Sequence, residues 1–272
     1  MLSAAIVAIG LVTPGMATWR DGRAVLCGDG AFQPQPLPKH TVELLPANER
    51  RRATPLIRLA LCAVEDCLGA TTGHAQLASV FASSGGDTGN LHALCEQLAK
   101  DAKAISPTAF HNSVHNAVAG YWSIAGQARA PSISISAHDA TFVAGLLEAF
   151  AQVAERAAPV LYAAYDTEVG LPMYDKRPVA PDFAVAMLLA PWLGTAPGDA
   201  FAGVLSVDRA DLGTDETALA QTGLESLRLG NPAARSLPLL RLVAAQAPGT
   251  LVLADGEERW RLRFQPSGLA MA

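Results

Sequence analysis

The sequence predicts a layered α/β fold, and three observations predict it. Short apolar runs, such as Ala4 to Ile9, Leu77 to Ala82, Pro159 to Tyr165 and Phe183 to Leu189, alternate along the chain with longer stretches of helical period. One stretch, Pro131 to Ala149, holds both patterns back to back: Ile133, Ile135 and Ala137 alternate with Ser132, Ser134 and Ser136, and after His138-Asp139 the apolar residues Phe142, Val143, Leu146, Leu147 and Phe150 fall at helical spacing. Finally, 50% of the 272 residues are hydrophobic and 17% are charged, enough for a sizeable core and too apolar for a disordered chain.

The elements follow in order. Ala4 to Ile9 reads as a buried first strand rather than a secretory leader, because no basic segment precedes it, Gly10 and Pro14 interrupt the apolar run and no clean cleavage site follows. Thr13-Pro14-Gly15 turns, and Asp21 to His40, rich in Gly and Pro, reads as irregular. From Pro46 a helix is expected, with Leu56, Leu59, Ala60, Ala63, Val64 and Cys67 on one stripe and Gly69 at its end. The run Arg50-Arg51-Arg52 that opens it reads as a solvated face ion-paired with Glu43 and Glu49, not as an anion site. Leu77 to Ala82 is a strand. The glycine-rich Ser83 to Gly89 that follows fits no phosphate-binding spacing and reads as a tight turn into a helix through Leu91, Leu94, Cys95 and Leu98.

Ile105 to Ala130 crowds His111, Asn112, His115, Asn116, Tyr121 and Trp122 together. On a helix His111 and His115 would share a face as a metal-chelating pair, but no third ligand is evident, so they read as hydrogen-bonding histidines and no metal is expected. After the central helix come strands at Pro159 to Tyr165 and Phe183 to Leu189, with a turn-rich insert from Asp166 to Asp182 between them. A strand is expected over Ala200 to Val207, a polar stretch without periodicity over Asp208 to Asn231 and a helix over Ala233 to Gln246. Strands at Thr250 to Ala254 and Trp260 to Phe264 flank the Asp255-Gly256 turn. No repeat or linker divides the chain, which reads as a single domain over 1–272.

Charge and cysteines narrow the function. A formal net charge of −5, with basic residues scattered among acidic ones, gives no footprint for nucleic acid or an anionic membrane, and no window is long and apolar enough for a membrane span. Cys27, Cys62, Cys67 and Cys95 show no paired spacing and are expected to be free, mostly buried thiols of a cytoplasmic protein.

The strand-to-helix junction is where chemistry would sit, because unpaired N–H groups at a helix start make a local positive potential. Here its residue is His138. Ser136, His138 and Asp139 do not converge as a triad, since side chains on a strand alternate faces and those on a helix diverge by about 100°. Asp139 suits the first helical turn as a cap, and His138 is expected to be a neutral, space-filling imidazole, with pairing of Ser136 or His138 to a distant group left open.

The segments AIVAIGLVTP, VFASSGGDTG, PTAFHNSVHNAVAGYWSIA and PSISISAHDA together resemble the N-terminal half of the β-ketoacyl-(acyl carrier protein) synthases of the thiolase fold. YDTEVGLPMYDKRPVAPDFAVAMLLA resembles the segment leading into that family's second half, so the likeness spans 1–191 and leaves 192–272 as a reduced C-terminal part. More narrowly, the wording from His111 to Ala125 resembles the short chain-length-factor subunits of aryl polyene and related pigment pathways. The resemblance implies a thiolase-like fold truncated in its C-terminal half. Two departures bear on activity: Ala137-His138-Asp139 stands where the family has its nucleophilic cysteine, and no histidine follows His138 to serve as the family's C-terminal pair.

What the resemblance implies is therefore a subunit with no catalytic residue of its own and no cofactor, pairing with a complete ketosynthase or with a second copy of itself and working beside an acyl carrier protein in polyketide or fatty-acid-like elongation. Phe110, His111, His115, Asn116, Tyr121, Trp122, His138 and Phe142 are the residues it puts at the interface or the partner's acyl tunnel; each is equally suited to packing its own core. The alternative is a small thiolase-fold enzyme, decarboxylating a malonyl carrier or hydrolysing a thioester through His138 and a polar partner from Asn112 to Asn116.

Overall fold

The computed structural model describes residues 2–28, 32–33, 35–37, 41–69, 74–100, 104–194 and 201–269. Its frame is one eight-stranded mixed sheet in the order β3-β2-β4-β5-β1-β6-β8-β7. The strands are β1 (Leu2–Val12), β2 (Ala78–Ala82), β3 (Ser132–Ile135), β4 (Val160–Asp166), β5 (Phe183–Pro191), β6 (Gly203–Arg209), β7 (Gly249–Asp255) and β8 (Glu258–Pro266). β2 runs parallel to both β3 and β4, and every other neighbouring pair is antiparallel.

Two apolar clusters cover the two faces. On one, α3 (Pro55–Leu68) and α6 (Ala117–Ala125) pack on Phe81, Leu161, Ala163, Tyr165, Ala184 and Ala186. On the other, α7 (Thr141–Arg156), α8 (Thr222–Gly230) and α9 (Leu237–Ala245) pack on Val80, Tyr162, Val185, Met187, Leu205, Leu253 and Phe264. The odd and even residues of β2, β4 and β5 thus go to different cores, as a pleat requires, whereas β6, β7 and β8 contribute to the second cluster alone. β1 has a bulge at Val7, between Ile6 opposite Leu189 and Ala8 opposite Leu188, so Ala4 and Ile6 share a cluster with Ile9 and Leu11 although their parity differs.

Several expectations are corrected. Asp21 to His40 is not wholly irregular: α1 (Trp19–Cys27) lies there, capped by Thr18, whose hydroxyl accepts from the Asp21 N–H. Gly22 disguised it, since glycine lowers helix propensity, but any Cβ there would run into the Leu11 side chain of β1. Within that stretch 29–31, 34 and 38–40, His40 included, lie outside the described residues. The helix from Pro46 is two, α2 (Ala47–Arg52) and α3, because Thr54 precedes a proline, takes an extended conformation and caps the second helix. Asp208 to Asn231 contains α8, and the helix expected from Ala233 begins as a 3-10 turn over Pro232–Ser236 before α9. The strand expected from Ala200 starts at Gly203, and Ala200 lies outside the described residues. Arg50 and Arg52 do face Glu43 and Glu49, at 3.7 and 3.3 Å. Cys62 and Cys67 are buried and free, whereas Cys27 and Cys95 are free and exposed.

Candidate functional site

The three parallel strands end together. Beyond β2 come Ser83 and Ser84, beyond β3 come Ser136 and His138, and β4 ends in Asp166. In open α/β sheets the carboxyl ends of parallel strands are where ligands and reacting groups gather, because the chain there turns into helix N-termini. Asp166 organises this edge. Its Oδ1 accepts from the Ser83 hydroxyl at 2.9 Å, the Ser84 N–H at 2.8 Å and the Ser84 hydroxyl at 3.0 Å. Ser136 donates to the Ser84 carbonyl at 2.9 Å, tying the end of β3 to the same loop.

The elbow follows. Ala137, His138, Asp139 and Ala140 form a single 3-10 turn into α7, closed by the Thr141 hydroxyl, which donates to the His138 carbonyl at 2.6 Å. His138 takes a φ of 52° and its side chain is 73% exposed. Left-handed backbone costs a non-glycine residue about 1 kcal/mol, so the turn holds this side chain outward against a local preference. The imidazole does not fill space as expected. It opens on a cleft of about 500 Å³ lined also by Asp139, Glu216, Arg235, Asp255 and Gly256. Asp139 is not the expected cap of α7: it pairs with Arg177 at 2.6 Å, and its other oxygen lies 3.5 Å from the His138 Nδ1.

The other predicted residues disperse. α5 (Pro107–His111) ends at His111, and His115 lies in the turn before α6, so the two histidines share no helix and no metal-binding face. His115 donates through Nε2 to the Ser83 carbonyl at 2.9 Å. Among the described residues no group of three His, Cys, Asp or Glu side chains is placed to hold a metal. Phe110 is 65% exposed, and His111 and Asn116 are exposed too. Tyr121, Trp122 and Phe142 are buried in the chain's own core, the second of the two places the sequence left open for them. Tyr121 donates to Asn112 at 3.2 Å, the Trp122 ring lies 5.6 Å from that of His74, and the Phe142 ring 5.7 Å from that of Tyr162. Asn112 spends its amide on the Arg52 carbonyl, so the polar partner expected for His138 does not come from that segment.

The sequence reasoning missed Asp166, Arg177, Glu216, Arg235 and Asp255. Asp166 had a signal, an acid closing a buried strand in an edge of parallel strands; the rest come from distant loops. The thiols lie elsewhere: Cys62 and Cys67 sit on α3, where burial pushes each up to about 12, and Cys27 and Cys95 lie on α1 and on α4 (Thr88–Ala99). The elbow therefore offers an imidazole, able to transfer a proton, but no thiolate to accept an acyl group.

The model of the β-ketoacyl synthase N-terminal domain matches residues 24–260. The chain belongs to this family. Three solved structures of β-ketoacyl synthase assemblies share its layered, ketosynthase-like α/β fold. The complex of the ketosynthase ApeO with its chain length factor ApeC from Xenorhabdus doucetiae superposes with a TM-score of 0.74 at 22% identity, over 97% of this chain and 100% of that one. The ishigamide ketosynthase/chain length factor does so with 0.69 at 13%, over 96% and 98%. AntDE:AntF, a type II polyketide synthase acyl-carrier protein in complex with its ketosynthase, gives 0.73 at 11%, over 97% and 99%. No curated protein matches the sequence. In this chain β3 and α7 form a strand-turn-helix elbow, and His138 lies in its turn.

Proposed function

We propose that this chain is a non-catalytic chain-length-factor subunit, a single reduced ketosynthase-like domain that pairs with a complete β-ketoacyl synthase and acts beside an acyl carrier protein in aryl polyene or related polyketide elongation in the cytoplasm. The observation that carries the reading is the elbow itself: its turn presents an exposed His138 and no thiol, and the four cysteines lie on other helices, so in this reading His138 takes the place of the condensing cysteine. Surface supports it. β3 is an edge strand with Ile133 39% exposed, and Phe110 of α5 and Val114 in the turn after it are 65% and 51% exposed. Unpaired edges and exposed aromatic or branched side chains are what an obligate interface covers. Phe110, His111, His115 and Asn116 are the interface residues of this reading, with steric and hydrogen-bonding roles.

The test is co-expression with a ketosynthase from the same genome, light scattering on the product and an elongation assay with malonyl carrier protein. A one-to-one complex that elongates, when neither chain does so alone, is the expected result. A stable homodimer that ignores the partner would remove the reading. The second reading, a decarboxylase or thioester hydrolase, is favoured by one feature, the open cleft that pairs His138 with Asp139. His138→Ala separates the two: it abolishes turnover by the chain alone if the enzyme reading holds, and leaves partner-dependent elongation intact if the subunit reading holds.

A further inference from the structure

Asp166 is 3% exposed, and among the described residues no cation pairs with it. Three neutral donors crowd its Oδ1, the Gly85 N–H also faces the carboxyl, and Oδ2 is buried with no hydrogen bond of good geometry. A carboxylate in that setting has given up hydration without gaining a counter-charge, which favours its neutral form. The loop it holds, Ser83 to Gly86, is a junction. Its Ser83 carbonyl accepts from His115, its Ser84 carbonyl from Ser136, and Asp87 beside it caps α4 by accepting from the Asn90 N–H at 2.9 Å.

We propose that Asp166 and the Ser83 to Gly86 loop form a proton-operated latch: the loop closes over the protonated acid, and loss of the proton loosens the loop and, through Ser84 and Ser136, the elbow that carries His138. The other groups around the acid do not neutralise it. Tyr162 and Tyr165 share its strand and are themselves pushed up, first by burial and then by the Asp166 charge. Asn231, from the segment after α8, donates to the Asp166 backbone carbonyl and is uncharged. Asp182, at the entrance to β5, accepts from the Glu168 N–H, and Asp87 is spent on its cap. His115, from the turn before α6, is the one nearby base, and it bonds the loop backbone rather than the carboxyl.

Burial pushes Asp166 up to about 6, against the pull of the Ser83 and Ser84 donors. An open loop would return it to the ordinary range near 3.8. The closed form thus binds the proton more tightly, is favoured at low pH and gives way as pH rises; for these two values the opening equilibrium grows roughly tenfold between pH 5 and pH 7 and then levels off.

Hydrogen exchange on the full chain by itself tests this, so the outcome is independent of any partner. Protection factors of the Ser84 and Gly86 amides, corrected for intrinsic exchange at each pH, are expected to fall about tenfold from pH 5 to pH 7, with a smaller fall in the same direction at Ala137. Asp166→Asn should flatten the profile, and His115→Gln, which keeps a donor but does not titrate, should leave the slope in place. A flat wild-type profile, or a slope that survives in Asp166→Asn or disappears in His115→Gln, overturns the latch. Should Asp166→Asn fail to fold, the wild type and His115→Gln decide the matter between them.

Discussion

Gly10 shows how much a single residue decides in this fold. It sits in mid-β1, where a glycine is entropically unfavourable, yet a Cβ there would collide with the backbone of α3 at the Ala63 carbonyl and the Cys67 N–H. The helix lies against the strand only because nothing projects between them. Gly10→Ala must push α3 away from β1 and open the core around Val64 and Leu161, at a cost of roughly 3 kcal/mol. Urea denaturation checks it; an alanine variant within about 0.5 kcal/mol of the wild type would mean that the helix seat is looser than the contact implies. Residues of this kind are poorly legible in sequence. Gly10 counted only as a break in an apolar run, and His138 only as an unusual residue at a junction, because the neighbour that makes each matter lies tens of residues away.

At the scale of elements, α8 is held by charge as well as by Leu224 and Leu227 on its apolar face. Arg228, almost wholly buried, donates through Nε and Nη2 to the Glu225 carboxylate at 2.8 and 2.7 Å and faces Glu216 at 3.0 Å, which also takes Arg235 at 2.9 Å. Arg228 holds the Glu225 carboxyl below its usual range and is itself held up by it. Removing the cation strands the Glu225 carboxylate and leaves Glu216 to Arg235 alone, and Arg228→Met should cost about 3 kcal/mol in chemical denaturation. Adding Glu225→Gln to Arg228→Met should recover part of that loss; full additivity of the two substitutions would show that the pair is not coupled. The far edge of the sheet is managed by a loop: Thr217 exchanges hydrogen bonds with Val252, through its backbone N–H at 2.9 Å and its hydroxyl at 2.8 Å, which covers part of β7. β3 is the opposite edge, and among the described residues no strand pairs with its outer side. α8 escaped the sequence reading because its polar sequence hides an ion network that exists only once Glu216 and Arg235 are in place.

For the whole molecule, the asymmetry of the two edges is a statement about assembly. If β3 and α5 form the partner surface, Phe110→Asp and Ile133→Asp should each weaken co-purification with the ketosynthase at least tenfold. Both side chains are exposed, so stability of the isolated chain should move by no more than about 0.5 kcal/mol. A complex that survives both substitutions would place the partner elsewhere. Thermal unfolding of the isolated variants and pull-down of the complex separate loss of docking from loss of fold.

Local patterning determined much of this protein. The period-two and buried runs marked the strands at Leu77 to Ala82, Pro159 to Tyr165 and Phe183 to Leu189, and the switch of period after His138 marked the elbow, because strand and helix periodicity depend on near neighbours alone. The family wording likewise named the fold, and the absence of any cysteine from Pro131 to Ala149 was visible in the letters. Tertiary structure alone decided which side chains face the elbow cleft, that Trp122 and Phe142 turn inward, and that Asp166 and His115 both meet the loop at the end of β2. Those outcomes depend on register and crossover, which bring together residues such as Ser84, Ser136 and Asp166 from three separate strand ends, and no window of sequence contains all three.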